Sequence, residues 1–238
     1  MVSGKRLKAV IWDYDGTLVD SRDKNLSVTR KIIEKITKKS AEEYPLLNDL
    51  EKYHRATMES LNWRKFYQEE FKLNKEQVDE AGSLWTVYQL KDTTQVNVFA
   101  GIREGMKSID TISQGIVSQN SKSNIERQLN SDRLIKYFSH ISGYEEVALD
   151  MQKPEPDGLI NCIKDLTDSE DGIIFYIGDH ETDIQCAARA NQILADLEVL
   201  SIGVLYGARI DNVKWNTQPD FEANSVQELF DIIIKHQF

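Results

Sequence analysis

Cysteine and proline are scarce in this chain, with two cysteines and four prolines among 238 residues. Cys162 and Cys186 lie in segments of helical pattern and form no C-x-x-C pair, so a disulfide framework is excluded and free thiols in a reducing compartment are expected. Histidine is equally thin: positions 54, 140, 180 and 236 show no H-x-H or H-E-x-x-H spacing, which argues against zinc. Basic residues are outnumbered, giving a formal net charge of −10, and no dense Lys/Arg run exists beyond Lys38-Lys39. A nucleic-acid partner is therefore not expected, and a small anionic substrate would need a metal, single cationic side chains and backbone N–H groups. Long apolar runs are missing too. The stretch ahead of Asp13 spans about five residues, too short for a signal-peptide core or a membrane span. The resulting expectation is a cytoplasmic protein with no membrane partner and of unspecified oligomeric state.

What the chain does contain is a series of short apolar strands, each followed by a turn and a helical pattern. They are residues 8–12, 115–117, 140–142, 173–177 and 200–204. Strands without polar alternation, separated by helices, indicate a parallel sheet covered on both faces, hence a doubly wound α/β core. Such sheets hold their ligands at the carboxyl ends of the strands. Residues 20–97 break the rhythm. Leu26, Ile32, Ile33 and Ile36, then Leu47, Leu50, Met58 and Leu61, then Val78, Leu84, Trp85 and Tyr88 recur at helical spacing with no buried strand between them. This predicts an inserted helical bundle, with Trp63, Phe66, Tyr67 and Phe71 in its own core. The expected division is a core of residues 1–19 and 98–238 and a helical insert of 20–97.

Four groups of polar residues follow core strands. The first is Asp13-Tyr14-Asp15-Gly16-Thr17-Leu18-Val19-Asp20-Ser21. Two carboxylates beyond one strand repel each other unless a cation lies between them. One can act as a nucleophile, splitting hydrolysis into two displacements, while its neighbour protonates the leaving oxygen and later accepts a proton from water. The second is Ser118-Gln119-Asn120, where a hydroxyl and helix N-terminal N–H groups suit phosphate oxygens, although Ser and Asn also serve as plain N-caps. The third is Gln152-Lys153-Pro154-Glu155-Pro156-Asp157. Its prolines predict a rigid, extended segment that fixes the Lys153 ammonium where charge shifts in a transition state. The fourth is Gly178-Asp179-His180-Glu181-Thr182-Asp183. Mg²⁺ takes a few oxygen ligands and keeps several waters, and Asp13, the Asp15 backbone carbonyl and Asp179 form a plausible set. Asp183, one helical turn on, would hold a metal-bound water or Lys153. His180 and Glu181 are expected to be incidental, as are Arg55, Arg64 and Lys65 in the insert.

In this order the four motifs resemble the haloacid dehalogenase-like superfamily: D-x-D-G-T, a strand ending in Ser, a lysine before the penultimate core strand, and G-D-x-x-x-D. The likeness spans nearly the whole chain and is most specific at the first and fourth motifs. It implies a Rossmann-like core with a helical cap between the first two motifs, as in the phosphoglycolate phosphatase-like branch. By the same resemblance Asp13 is the phosphorylated nucleophile, Asp15 the general acid/base and Lys153 the charge-balancing lysine. Gly16, Thr17, Ser118, Gln119, Asn120 and Lys153 would bind the phosphate. Asp13, Asp15 and Asp179 would bind Mg²⁺, with Asp183 behind them. Dehalogenases of this superfamily lack an acid/base at the position of Asp15, so phosphoryl transfer is implied. The expectation is a Mg²⁺-dependent phosphatase acting on a small phosphorylated metabolite through an aspartyl-phosphate. A phosphomutase, pyrophosphatase, nucleotidase or idle scaffold of the same fold is the alternative. The segment 192–200 reads as an extended helix or loop.

Overall fold

The computed structural model describes residues 5–60, 62–168, 171–194, 196–207 and 215–237, so the parts of the expected core and insert outside these ranges lie beyond the described residues. The chain opens on β1 (Leu7–Trp12) and a short β2 (Val19–Asp20). Four helices follow: α1 (Arg22–Thr37), α2 (Leu50–Glu59), α3 (Trp63–Phe71) and α4 (Lys75–Lys91). After β3 (Asn97–Val98) strands and helices alternate: α5 (Ile102–Ser108), β4 (Ser113–Val117), α6 (Lys122–Ser131), β5 (His140–Ser142), α7 (Asp157–Leu166), β6 (Gly172–Gly178), α8 (Glu181–Ile193), β7 (Leu197–Val204), β8 (Phe221–Ala223) and α9 (Val226–Lys235). The described residues divide into two compact units, one drawn from 5–20, 98–207 and 215–237, the other from 21–97.

In the first unit six strands form one sheet in the order β5-β4-β1-β6-β7-β8, with every neighbouring pair parallel. β6 is buried along its whole length, as a strand sandwiched between helices must be. Its side chains alternate between faces. Ile174 and Tyr176 pack with Leu159, Cys162 and Ile163 of α7 and with Cys186, Ala187 and Ala190 of α8. Phe175 points the other way, with its ring 5.1 Å from His236 and 5.9 Å from Phe221. On that second face Trp12 of β1 meets Phe230 of α9 at 5.8 Å. Both cysteines are buried free thiols. The sheet is thus the doubly wound α/β core that the strand pattern predicts, and the carboxyl ends of β1, β4 and β6 lie side by side.

Two details depart from the sequence reading. The final strand β8 has three residues, too few to stand out from a turn, and was not anticipated. The segment 192–200 is neither an extended helix nor a long loop: α8 stops at Ile193 and β7 begins at Leu197, so its last four residues are strand. Residue 195 lies outside the described residues.

The second unit is helical. Phe66, Tyr67 and Phe71 are buried in its core, and their rings meet each other at 5.4–5.7 Å, with Trp63 packed against them. Inside this apolar core Thr29 Oγ1 lies 2.8 Å from the Tyr53 hydroxyl and accepts from Tyr67 Oη at 3.4 Å, so the buried hydroxyls satisfy one another. Arg64 pairs with Asp79 at 2.6 Å and stacks on Trp63, while Arg55 and Lys65 are exposed. No described helix is long and apolar enough to cross a membrane.

Asp92, which ends α4, carries an uncommon share of this unit's polar bonding. Its carboxylate accepts from Ser27 Oγ at 2.7 Å, Lys31 Nζ at 2.5 Å and the Thr94 N–H at 2.8 Å. Burial pushes this carboxyl up, but the Lys31, Ser27 and Thr94 hydrogen bonds outweigh it and hold the group below its ordinary value. A depressed carboxyl stabilises the fold above the pKa of the unfolded chain, about 4, and loses that contribution as the pH falls further. Asp92→Asn should cost about 1–3 kcal/mol in urea unfolding at pH 7, the range for hydrogen bonds to a charged group, and the gap to wild type should narrow at pH 3.

Candidate active site

Each chemical group sits just beyond a strand end because the strand's backbone is spent on the sheet and the following turn is free to present side chains. The Asp13 N–H still donates to Ile177 O of the neighbouring strand at 2.7 Å, so Asp13 is held at the last rung of the ladder. Beyond it the chain reverses tightly: Leu18 N–H donates to Tyr14 O at 3.0 Å and Gly16 N–H to Val19 O at 2.9 Å. Gly16 takes φ +73°, a conformation that L side chains rarely adopt, and any Cβ there would overlap the Asp179 carboxylate. Glycine is therefore needed both for the turn and for the close approach of Asp179.

Carboxylate oxygens of Asp13, Asp179 and Asp183 all lie within 4.8 Å of one another. Lys153 stands against two of them, its Nζ donating to Asp13 Oδ1 and to Asp183 Oδ1, each at 2.6 Å. The lysine reaches this position from a turn, not from an extended segment, because Glu155 N–H donates back to Gln152 O at 2.9 Å. Asp183 is held on both oxygens: Oδ1 also lies 3.2 Å from the Tyr176 hydroxyl, whose one proton is shared with Val117 O at 3.1 Å, and Oδ2 accepts the His180 N–H at 3.1 Å. It thus combines the expected grip on Lys153 with a capping box at the start of α8. His180 is the N-cap, its Nδ1 accepting the Thr182 N–H at 3.1 Å. Glu181 anchors the loop at 216–217, its Oε1 accepting from the Asn216 and Thr217 N–H groups at 2.9 and 3.0 Å.

The electrostatics follow from this crowding. Burial, countered by Lys153 and reinforced by Asp183 and Asp15, pushes the Asp13 carboxyl up to about 7. Burial and then the charges of Asp13 and Asp183 raise Asp179 well above the usual carboxylate range. Burial alone would draw the Lys153 ammonium down, yet Asp13 and Asp183 hold it well above its ordinary value. Among the described residues three carboxylates face one ammonium. The uncompensated charge, on hard oxygen donors, fits a divalent cation such as Mg²⁺ at Asp13 and Asp179.

Several residues expected to touch phosphate are otherwise engaged. The Gly16 N–H is used within its own turn, and Gln119 Nε2 donates to the Lys153 carbonyl at 3.1 Å, bracing the lysine's backbone. Asn120 Nδ2 donates to Asp15 Oδ2 at 2.7 Å, so its amide serves the second aspartate. The Asp15 carboxylate accordingly stands outside the three converging carboxylates, which leaves only its backbone carbonyl for the role expected at a cation. The helix cap at this point is Ser121, whose Oγ accepts the Asn124 N–H at 3.2 Å. Ser118 is buried at the end of β4, and its Oγ accepts the Asn120 N–H at 3.2 Å. The Thr17 hydroxyl is fully buried with no hydrogen-bond partner, while its carbonyl accepts from Tyr206 Oη at 2.7 Å.

Tyr176 and Tyr206 escaped the sequence reading. The signal for Tyr176 was a lone hydroxyl in an otherwise apolar strand. Tyr206 lies nearly two hundred residues from Thr17, and nothing local marks it.

The sequence matches the family model of haloacid dehalogenase-like hydrolases over residues 10–195. Its fold is similar to solved structures of a predicted phosphatase from Clostridium acetobutylicum (23% identity, 96% of this chain and 98% of that one, TM-score 0.74) and a predicted phosphoglycolate phosphatase from Haemophilus somnus (16% identity, 99% of both chains, TM-score 0.71). A haloacid dehalogenase-like family hydrolase from Streptococcus pneumoniae is also similar, at 16% identity over 95% of this chain and 98% of that one, with a TM-score of 0.72. No curated protein matches the sequence.

Raised carboxyls destabilise a fold as they ionise. The contribution of Asp13 is fully present below the unfolded value of about 4 and is lost as the pH rises through about 7. Asp179→Asn, which removes one repelling charge, should therefore stabilise the cation-free protein by about 1–2 kcal/mol, the usual yield of relieving a strained site. Thermal melts in EDTA should show the variant's advantage growing from pH 5 to pH 8.

Proposed function

The chain belongs to the haloacid dehalogenase-like hydrolase family, and on that premise we propose that it is a phosphatase hydrolysing a small phosphate monoester through phosphorylation of Asp13. The observation that carries this reading is the convergence of Asp13, Asp179 and Asp183 within 4.8 Å, with Lys153 bonded to Asp13 and Asp183 at 2.6 Å. Carboxylates gathered this closely attract positive charge, and the substrate phosphate needs the same positive charge.

Asp13 and Asp179, with the Asp15 carbonyl, would hold Mg²⁺, which supplies neutralisation of the phosphoryl oxygens and an aligned approach. Lys153 donates to Asp13 Oδ1 and so fixes the nucleophile's carboxylate. As the Asp13 oxygen bonds to phosphorus, the bond from phosphorus to the ester oxygen breaks, and Asp15 gives its proton to that oxygen. Water then attacks the phosphorus of phospho-Asp13 and passes a proton to Asp15, and the phosphorus–Asp13 bond breaks to release phosphate. Ser118, and the Thr17 hydroxyl with no hydrogen-bond partner of its own, are the hydroxyls assigned to the phosphate oxygens in this reading. The helical residues 21–97 are the counterpart of the family's cap. Buried free thiols and the acidic net charge suit a cytoplasmic enzyme of small metabolites. The fold shared with the Haemophilus somnus protein makes phosphoglycolate the first ester to try.

Asp13→Asn should lower Mg²⁺-dependent phosphate release by roughly 10³-fold or more, the loss expected when a covalent nucleophile is removed. Wild-type rates in the mutant would reject the reading. Mg²⁺ should also raise the melting temperature of the wild type, and should not do so in Asp179→Asn.

A further inference from the structure

Asn120 is buried in the turn between β4 and α6 and takes no part in capping the helix, which Ser121 does. Its backbone is tied down by the Tyr144 N–H, which donates to Asn120 O at 3.0 Å. Its side-chain Oδ1 accepts the Ser121 N–H at 2.7 Å and Asn124 Nδ2 at 3.2 Å. A backbone N–H can only donate, so the amide oxygen must face it and the amide nitrogen must face Asp15. Asn124 is oriented by the same logic, since a guanidinium can only donate and Arg127 Nη2 reaches Asn124 Oδ1 at 3.4 Å. Three hydrogen bonds thus run head to tail from Arg127 through Asn124 and Asn120 to Asp15 Oδ2. They shorten from 3.4 to 3.2 to 2.7 Å as they approach the carboxylate. Bonds aligned in one sense polarise each other, and the terminal one ends on a carboxylate.

We propose that Asn120, clamped by Ser121 and Asn124, is a positioning residue that dictates which oxygen of Asp15 handles the proton. The proposal rests on Asp15 being the acid/base of the preceding reading and adds what aims it. An amide N–H donated to Oδ2 keeps that oxygen an acceptor, so the proton Asp15 carries sits on Oδ1. One oxygen then both protonates the leaving group and receives the proton from water. Aim matters here because proton transfer requires heavy atoms within hydrogen-bond reach, and a carboxyl group offers two oxygens of which only one can face the ester.

The test compares two esters that differ in their need for a proton. An alkyl phosphate such as phosphoglycolate or glycerol phosphate expels a poor leaving group that must be protonated, whereas p-nitrophenyl phosphate expels a stable phenolate. The readout is kcat/KM, which covers the steps through departure of the leaving group and excludes the later hydrolysis of phospho-Asp13 common to both. Asn120→Ala should lower kcat/KM on the alkyl ester by about 10–100-fold and on the aryl ester by less than about threefold, a share of the 10²–10⁴ that general acid catalysis supplies. Asn124→Ala should show the same bias at about 3–10-fold, since Asn120 keeps its bond to Ser121. That second variant carries the test if Asn120→Ala melts below the assay temperature. Equal losses on both esters, or none, would overturn the proposal while Asp13→Asn remains inactive. Turnover by Asp13→Asn would instead overturn the reading beneath it.

Discussion

Like charge held together inside a protein governs this molecule. Carboxylate oxygens of Asp13, Asp179 and Asp183 lie within 4.8 Å of one another, and the Lys153 ammonium is shared between Asp13 and Asp183. Such a cluster is unfavourable on its own terms, and it persists because each member is fixed by structure that has nothing to do with charge. Asp13 is the last rung of a central strand, Asp179 follows a strand buried along its whole length, and Asp183 closes a helix cap. The sheet and its two helical faces absorb the repulsion, and the repulsion makes the site receptive to cations and phosphate.

Around this centre a set of neutral groups does the aiming. Gln119 holds the Lys153 backbone, Tyr176 holds Asp183, Tyr206 holds the turn at Thr17, and Asn120 holds Asp15. None adds charge, so none worsens the crowding. Gln119, Tyr176 and Asn120 each give a charged residue a second point of attachment, which a side chain on a turn needs if it is to act in one orientation. Residues that a motif reading assigns to phosphate thus spend their hydrogen bonds on the machinery itself.

The fold was legible where patterns were strong. Val10-Ile11-Trp12 and Ile173–Ile177 have no polar alternation, so they read as strands covered on both faces. The helical spacing of residues 26–88 likewise read as helices. Boundaries and weak elements were less visible. Leu197-Glu198-Val199 alternates as a half-buried strand does, yet it falls in the segment 192–200 read as an extended helix or loop, and Phe221–Ala223 is shorter than any period that could reveal it. At the site, Asp13, Asp179 and Asp183 stood out because each follows a strand or sits one helical turn from a neighbour, and Lys153 because Pro154 and Pro156 follow it. The roles of Gln119 and Asn120 did not, because a carboxamide has donors and an acceptor and its sequence context does not say which partner it takes.

From the amino-acid sequence alone came the kinds of chemistry available: hard oxygen donors, a lysine beside prolines, hydroxyls after strands, and a parallel sheet to carry them. These are local properties, set by hydrophobic period and by turn-forming residues a few positions apart. Which oxygen of Asp13 the lysine takes, which way the Asn120 amide points and that Tyr206 reaches Thr17 were decided only when distant segments packed together. Hydrogen bonds act over about 3 Å, and no pattern along a chain specifies a distance that short between residues a hundred or more positions apart.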